Sequence, residues 1–377
     1  MTALGDFSAL YDEFPSLRYL ILSVFVASST NAIGDYQRTE IMVSSIGLQT
    51  FLQKLQIRKL FKDLQQIFYP ILAAVSVPVN IVTIMILIQR KCGLSKCVTC
   101  YLVAMAVADL LVIILDLILR HIPIVYWEQF RFVLHIPVCN IHAVLLYAVT
   151  DCSVWFTVSF TFDRFVAICY QKLKTNYCTE KMATVVLGTV TVLSCLKNIF
   201  WYFMYTSKYE LDNSPWFCRV TVENTESLLW AIFELLHYMF TPCIPFALIL
   251  LLNALTVRYI LVSSRARRRL RAHNSGEKPR DPELESRKKS IILLFVISGN
   301  FILLWSNFMV YYIWNRMWYF LRTVGSINGI VQETGYMFQL LSCCTNTCIY
   351  AVTQTKFREQ FKSVVKYPFT VICKIIK

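Results

Sequence analysis

The sequence predicts an all-α membrane protein, a seven-transmembrane-helix bundle with its N-terminus outside, and three observations carry that expectation. Hydrophobic residues make up 56% of the chain and charged residues only 16%, against about a quarter charged in an ordinary soluble domain. Seven apolar stretches can be read, at 66–90, 98–121, 136–169, 181–205, 228–262, 287–317 and 325–353. Each supplies the roughly 20 residues that a hydrocarbon core of about 30 Å requires. The basic residues gather in particular connections, with Arg265, Arg267, Arg268, Arg269 and Arg271 between two stretches and Lys356, Arg358, Lys362 and Lys366 after the last. Segments held in the cytoplasm carry this excess, so the net charge of +14 reports topology and no affinity for nucleic acid.

Residues 1–65 read as an extracellular N-terminal segment. Within it Tyr19 to Ala27 is too short to span, and Asp6, Asp12 and Glu13 precede it where a cleaved signal would want basic charge. From Gln53 to Phe68, apolar Leu55, Leu60, Phe61 and Leu64 alternate with Lys54, Arg58, Lys59 and Lys62, which predicts an amphipathic helix on the membrane surface. The bundle then occupies 66–353. Its connections at Arg90 to Lys96 and around Lys172, Lys174 and Lys181 are basic, whereas Lys208 to Glu226 is mixed or acidic. A polar run with Gly276, Pro279 and Pro282 predicts a mobile third cytoplasmic loop over about 263–287. In the tail, residues 354–377, Phe357 and Phe361 lie four apart, as suits a short amphipathic helix along the inner leaflet.

Most of the 14 cysteines sit inside apolar stretches and read as small buried hydrophobes. Only Cys139 and Cys218 fall near span ends on the outer side, where an oxidising environment predicts a disulfide tying the second outer loop to the third span. No acceptable Asn-x-Ser/Thr site occurs, so N-glycosylation is not expected. The absence of internal repeats counts against an inverted-repeat transporter.

Asp163-Arg164-Phe165 lies at the inner end of the third span, with Arg164 25 residues after Cys139, roughly 37 Å along a helix. One helix thus links both surfaces. An Asp-Arg pair alone would be explained by a snorkelling arginine, and its fixed distance from Cys139 favours a functional role.

At this point the sequence resembles the class A, or rhodopsin-like, G-protein-coupled receptors over about 66 to 364, in every span but the fourth. Asn80, Asp109 within Leu102 to Asp109, and Asp163-Arg164-Phe165 resemble the family's signatures in the first three spans. Pro245 is similar to its helix-bending proline, Phe301-x-x-x-Trp305 to its sixth-helix switch, and Asn346-Thr347-Cys348-Ile349-Tyr350 to its Asn-Pro-x-x-Tyr. Asp151 to Trp155 and Leu304-Trp305 look closest to the orphan-type group of G-protein-coupled receptor 139, some of whose members respond to aromatic amino acids. There are departures. Phe165 replaces Tyr, the fourth span lacks the usual tryptophan and proline, and Asn307 and Thr347 stand where helix-breaking prolines are usual. The sixth and seventh helices are therefore expected to be straighter than in the family.

The resemblance implies a plasma-membrane receptor without enzymatic activity. It assigns coupling to a heterotrimeric G protein to Asp163, Arg164, Phe301, Trp305, Asn346 and Tyr350. By helical rise, Asp109, Ser153 and Asn346 reach a similar depth, and with Asn80 they are expected to form a polar pocket in which Asp109 binds sodium. The alternative is a hydrogen-bonded packing network without an ion. No other cofactor is expected. Asp116, Tyr147, Thr150, Glu234, His237, Phe308, Met309, Tyr312 and Tyr336 are expected around an aromatic, weakly polar ligand cavity, although any one aromatic is explained as well by packing. Asp116 and Arg120 are spaced for an i,i+4 pair. Leu146 stands where amine receptors carry aspartate, which disfavours a monoamine.

The reading that follows is a receptor for a small extracellular ligand, with an aromatic amino acid or similar amphiphile as the candidate and a peptide ligand as the alternative. Membrane lipids are expected to meet the basic third loop. A retinal receptor needs a lysine in the seventh span, and residues 323–355 contain none. A channel or transporter would show a ring of pore charges or a pair of broken helices, and neither is visible. A His-Glu-x-x-His or nucleophile-base pattern is likewise missing.

Overall fold

The computed structural model describes residues 36–126, 129, 139–204, 228–271, 282–321 and 329–376, and every regular element among them is helical. The chain divides into two units, Met1–Gln65 and Gln66–Lys377, and the site described below lies within the second. The first long helix is Tyr36–Ile88, so Gln53 to Phe68, read above as a surface helix, is part of the same helical run as the first span. The second span begins at Lys96, capped by Ser95, whose Oγ accepts from the amide of Val98 at 3.3 Å. It continues as a π-helical stretch, Ile113–His121, and a short turn, Ile122–Val125. In the connection before it, Gly93 has a φ of 69°, a conformation that glycine adopts without strain.

The third span is Cys139–Cys169 and the fourth is Glu180–Asn198, preceded by a loop helix Gln171–Tyr177 and capped by Thr179. The fifth runs Leu228–Tyr238, Met239–Cys243 and Ile244–Arg271, the sixth Pro282–Leu321 and the seventh Gly329–Thr353. The expected bend of the fifth at Pro245 is displaced. Helical geometry fails at Thr241, with φ −150° and ψ 104°, because Pro242 disfavours the α region for the residue before it. A tail helix of 22 residues, Thr355–Ile376, follows, longer than the short one expected. Its Phe357 is fully buried against Tyr350, ring centroids 5.9 Å apart.

Among the described residues five helices are long and apolar enough to cross a membrane, or six if the fourth is counted with its loop helix, bent from it by 71°. The seventh is 25 residues long but carries Gln339, Ser342 and Thr347, all buried. These side chains point inward, where Ser342 meets Trp305 of the sixth helix and Thr347 meets Thr83 of the first. The fourth helix shows the membrane pattern plainly, with Val185, Val192, Leu193 and Leu196 exposed while Ser194 and Asn198 are buried. That inverts the arrangement of a water-soluble fold and suits lipid outside.

The third helix packs against the second, fourth, fifth and sixth, and the seventh against the second and sixth. Asn307 and Thr347, in place of the two prolines, both tie helices together. The amide of Asn307 donates to the carbonyl of Val331 at 3.3 Å, and Thr347 shares a 2.8 Å hydrogen bond with Thr83 of the first span.

Candidate functional site

The second, third and seventh helices bring three expected polar residues together. Asp109, 2% exposed, accepts from the Ser153 hydroxyl at 2.7 Å and from Asn346 Nδ2 at 2.7 Å. Asn80 braces the pocket from the first helix and donates to the carbonyls of Ser76 and Cys343, each at 3.0 Å. These hydrogen bonds to Asp109 come from neutral groups. A buried carboxylate so placed either takes a proton or attracts a cation, since an uncompensated charge in a dry interior costs several kcal/mol. Carboxylate and hydroxyl oxygens are hard donors that suit a small hard cation, so the donor set fits sodium.

Toward the outer side, spans two, three, five, six and seven enclose a cavity. Of the expected pocket residues, Asp116, Tyr147, Thr150, His237, Phe308, Tyr312 and Tyr336 line it. Glu234 and Met309, half-buried, are not among its lining. The structure adds Arg120, Thr241, Trp305 and Gln339. The rings close on one another: Tyr238 stacks on Tyr312 at 3.9 Å, and Phe308 lies 4.5 Å from Tyr312 and 5.6 Å from Tyr336. Tyr312 and Tyr336 join hydroxyls at 2.5 Å. The void they leave is about 30 Å³, room for a few water molecules at most.

From this cavity a run of rings leads inward along the sixth helix. Trp305 lies 5.7 Å from Phe308, stacks on Phe301 at 5.4 Å, and donates to Ser342 at 3.2 Å. At the inner end Arg164 is paired with Asp163 and donates to Ser290 of the sixth helix at 3.4 Å. Asp163 also accepts from the Cys97 thiol of the second helix at 3.1 Å. Tyr350 of the seventh is 1% exposed beside Phe357. The Cys139–Cys218 pairing lies outside the described residues, which place Cys139 only as the first residue of the third helix.

One constellation escaped the sequence reading. Asp151 of the third helix, 1% exposed, pairs with Lys197 Nζ of the fourth at 2.6 Å and accepts from Asn198 Nδ2 at 2.6 Å. Lys197 also reaches Thr241, at the break of the fifth helix, at 3.4 Å. The Trp201 indole donates to Asn198 at 3.1 Å and stacks on Tyr147 at 4.2 Å. A lone lysine inside an apolar stretch was the available signal, but its partner lies on another helix and only the fold identifies it.

Residues 79–350 match the family described as 7 transmembrane receptor (rhodopsin family). The chain is also similar to G-protein coupled receptor 39 of Bos taurus, 27% identical over 152 residues, which cover 39% of this chain and 33% of that protein. The matched part is about a third of that relative's length. That similarity supports the class and does not extend to the group of G-protein-coupled receptor 139.

Proposed function

Since the chain belongs to the rhodopsin family of seven-transmembrane receptors, we propose that it binds a small extracellular ligand at the plasma membrane and activates a heterotrimeric G protein. The family consists of signalling receptors and not of enzymes, and the chain crosses the membrane several times. The observation that carries the proposal is that one helix serves both ends. The sixth contributes Phe308, Tyr312 and Trp305 to the outer cavity and Ser290 to the inner tie with Arg164. A ligand that separates the outer rings favours a conformer in which this helix moves outward below, to the extent of its differential affinity for the two states. That movement breaks the bond from Arg164 to Ser290 and opens the inner face to the G protein. The basic residues at the inner end of the fifth helix, Arg265 among them, meet acidic lipid heads there.

The aromatic lining with few polar groups suits an aromatic amino acid or similar amphiphile. The smallness of the void favours the second reading, a peptide held at the outer surface. Cells expressing the chain, screened with amino acids and peptides while calcium and cyclic AMP are read, test both. Arg164→Ala removes the response and leaves surface level unchanged; an undiminished response sinks the assigned role. His237→Ala and Phe308→Ala each weaken a small agonist roughly ten- to a hundredfold, whereas Lys208→Ala does not. At Asp109 the same reading places a sodium ion, with Ser153 supplying a hydroxyl oxygen beside the carboxylate.

A further inference from the structure

We propose that Gln339 of the seventh helix is a specificity-determining residue of the outer cavity, selecting a ligand whose aromatic ring carries a neutral hydrogen-bond donor, a phenolic O–H or an indole-type N–H. This rests on the reading of that cavity as the ligand site and names the chemistry that the site selects.

Most polar groups of the lining are already engaged. Asp116 is joined to Arg120 at 3.0 Å, and the Arg120 guanidinium lies 5.3 Å over the Tyr336 ring. The hydroxyls of Tyr312 and Tyr336 bond each other. Thr150 donates to the carbonyl of Leu146 at 2.8 Å, the Trp305 indole donates to Ser342 at 3.2 Å, and Thr241 accepts from Lys197 at 3.4 Å. Among the described residues, two buried polar atoms of this lining have no hydrogen-bond partner, Nδ1 of His237 and Oε1 of Gln339. The two residues are 6% and 4% exposed. His237 is enclosed by rings, 5.0 Å from Tyr147 and 5.1 Å from Trp201. Its neutral imidazole donates or accepts according to tautomer, so it selects no single chemistry, whereas the side-chain oxygen of Gln339 only accepts.

The seventh helix runs inward from Gly329, so Gln339 lies deeper than Tyr336 and is the innermost residue that this helix gives the cavity. Its backbone carbonyl accepts from the Ser342 hydroxyl at 2.6 Å, and that hydroxyl in turn receives the Trp305 indole. The turn that carries the amide is thereby held against the sixth helix. A buried acceptor without a partner is expensive, and packing alone would be served as well by leucine, so a ligand that supplies the donor recovers the cost. A donor borne on a ring suits the surroundings, where Trp305 and Phe308 lie 5.7 Å apart and offer ring faces. An ammonium suits them badly, because the carboxylate of the lining is already paired with arginine and a further charge would enter uncompensated. Since the void is about 30 Å³, a ligand that reaches Gln339 must part the rings, the movement on which the proposed activation depends.

Thermal stabilisation of the purified full chain in lipid nanodiscs tests this, titrated with 3-(4-hydroxyphenyl)propionate, 3-(4-methoxyphenyl)propionate, 3-phenylpropionate, tyramine and phenethylamine. Each phenol should act at concentrations roughly ten- to a hundredfold below its unsubstituted parent, in the acid series and the amine series alike. The methyl ether, which keeps the oxygen and loses the donor, should do no better than the parent. In Gln339→Leu the phenols should lose their advantage, while the melting temperature without ligand should be no lower than that of wild type, because an unpartnered acceptor has been removed. A lower melting temperature, or a variant that does not fold, means that the amide is bonded within the bundle and overturns the inference. Phenols no better than their parents, an ether as strong as its phenol, or an advantage unchanged in Gln339→Leu also overturns it, and each of these leaves the cavity as the ligand site. If none of the five binds wild type, the small-ligand reading falls and this inference with it.

Discussion

Asp109 of the second helix and Asp151 of the third are both buried, 2% and 1% exposed. The surroundings differ in kind. Asp151 has a lysine at 2.6 Å whose ammonium also reaches Thr241, so one pair joins the third, fourth and fifth helices. Asp109 is held by a serine hydroxyl and an asparagine amide. A carboxylate with a built-in cation has its charge settled by the fold, and removing the cation is costly. One held by neutral dipoles can exchange a proton or ion with little rearrangement, which is what a responsive centre requires. The first belongs to the architecture of the bundle and the second suits its switching.

The largest effect should therefore come from Lys197→Ala. It strands the Asp151 charge, and breaking a buried pair costs on the order of 3 to 5 kcal/mol. Surface expression and the melting temperature of purified protein should both fall sharply. The double variant Asp151→Asn with Lys197→Met should recover most of the loss, because removing both charges removes the desolvation cost as well. If the double variant is as damaged as the single one, the pair is no structural clamp.

Next comes Asn80→Ala, which strips two hydrogen bonds to buried carbonyls at 3.0 Å and should destabilise by about 1 to 3 kcal/mol, read as a lowered melting temperature. Asp109→Asn should be milder, within about 1 kcal/mol of wild type, since it keeps the shape and needs no counter-charge. It should nevertheless abolish any effect of sodium on agonist affinity, measured by titrating sodium against an impermeant substitute. A loss of stability as large as that of Lys197→Ala would erase the distinction between the two aspartates. A sodium-insensitive wild type would make Asp109 part of a packing network. The smallest effect is expected at the inner surface, where Arg90 pairs with Glu180 with side chains 47% and 38% exposed. Glu180→Ala should leave the melting temperature within error at physiological salt, because solvent and ions screen such pairs.

Much of the polar pocket could be read from the sequence because depth along a helix is arithmetic. Asp109, Ser153 and Asn346 are level by helical rise alone, and the structure joins them at 2.7 Å. The outer cavity was less legible. Seven of the nine residues expected there line it, but Glu234 and Met309 do not, since rotation of a helix about its axis depends on its neighbours and not on its own pattern. Arg120 could be read only as half of an i,i+4 pair, because the sequence does not say that the pair faces an interior void.

The sequence by itself determined the class of fold and the common depth of Asp109, Ser153 and Asn346. Apolar length, the sidedness of basic residues and the rise of a helix are local quantities, read one segment at a time. Tertiary structure alone decided which charge meets which. That Lys197 compensates Asp151 while Asp109 has neutral partners depends on which faces of which helices are turned together. It also decided that the fifth helix breaks at Thr241 and that its hydroxyl there meets Lys197. The outer aromatics close to a void of about 30 Å³ for the same reason. Packing between helices is a many-body outcome of side-chain shape, and no single stretch of the chain encodes it.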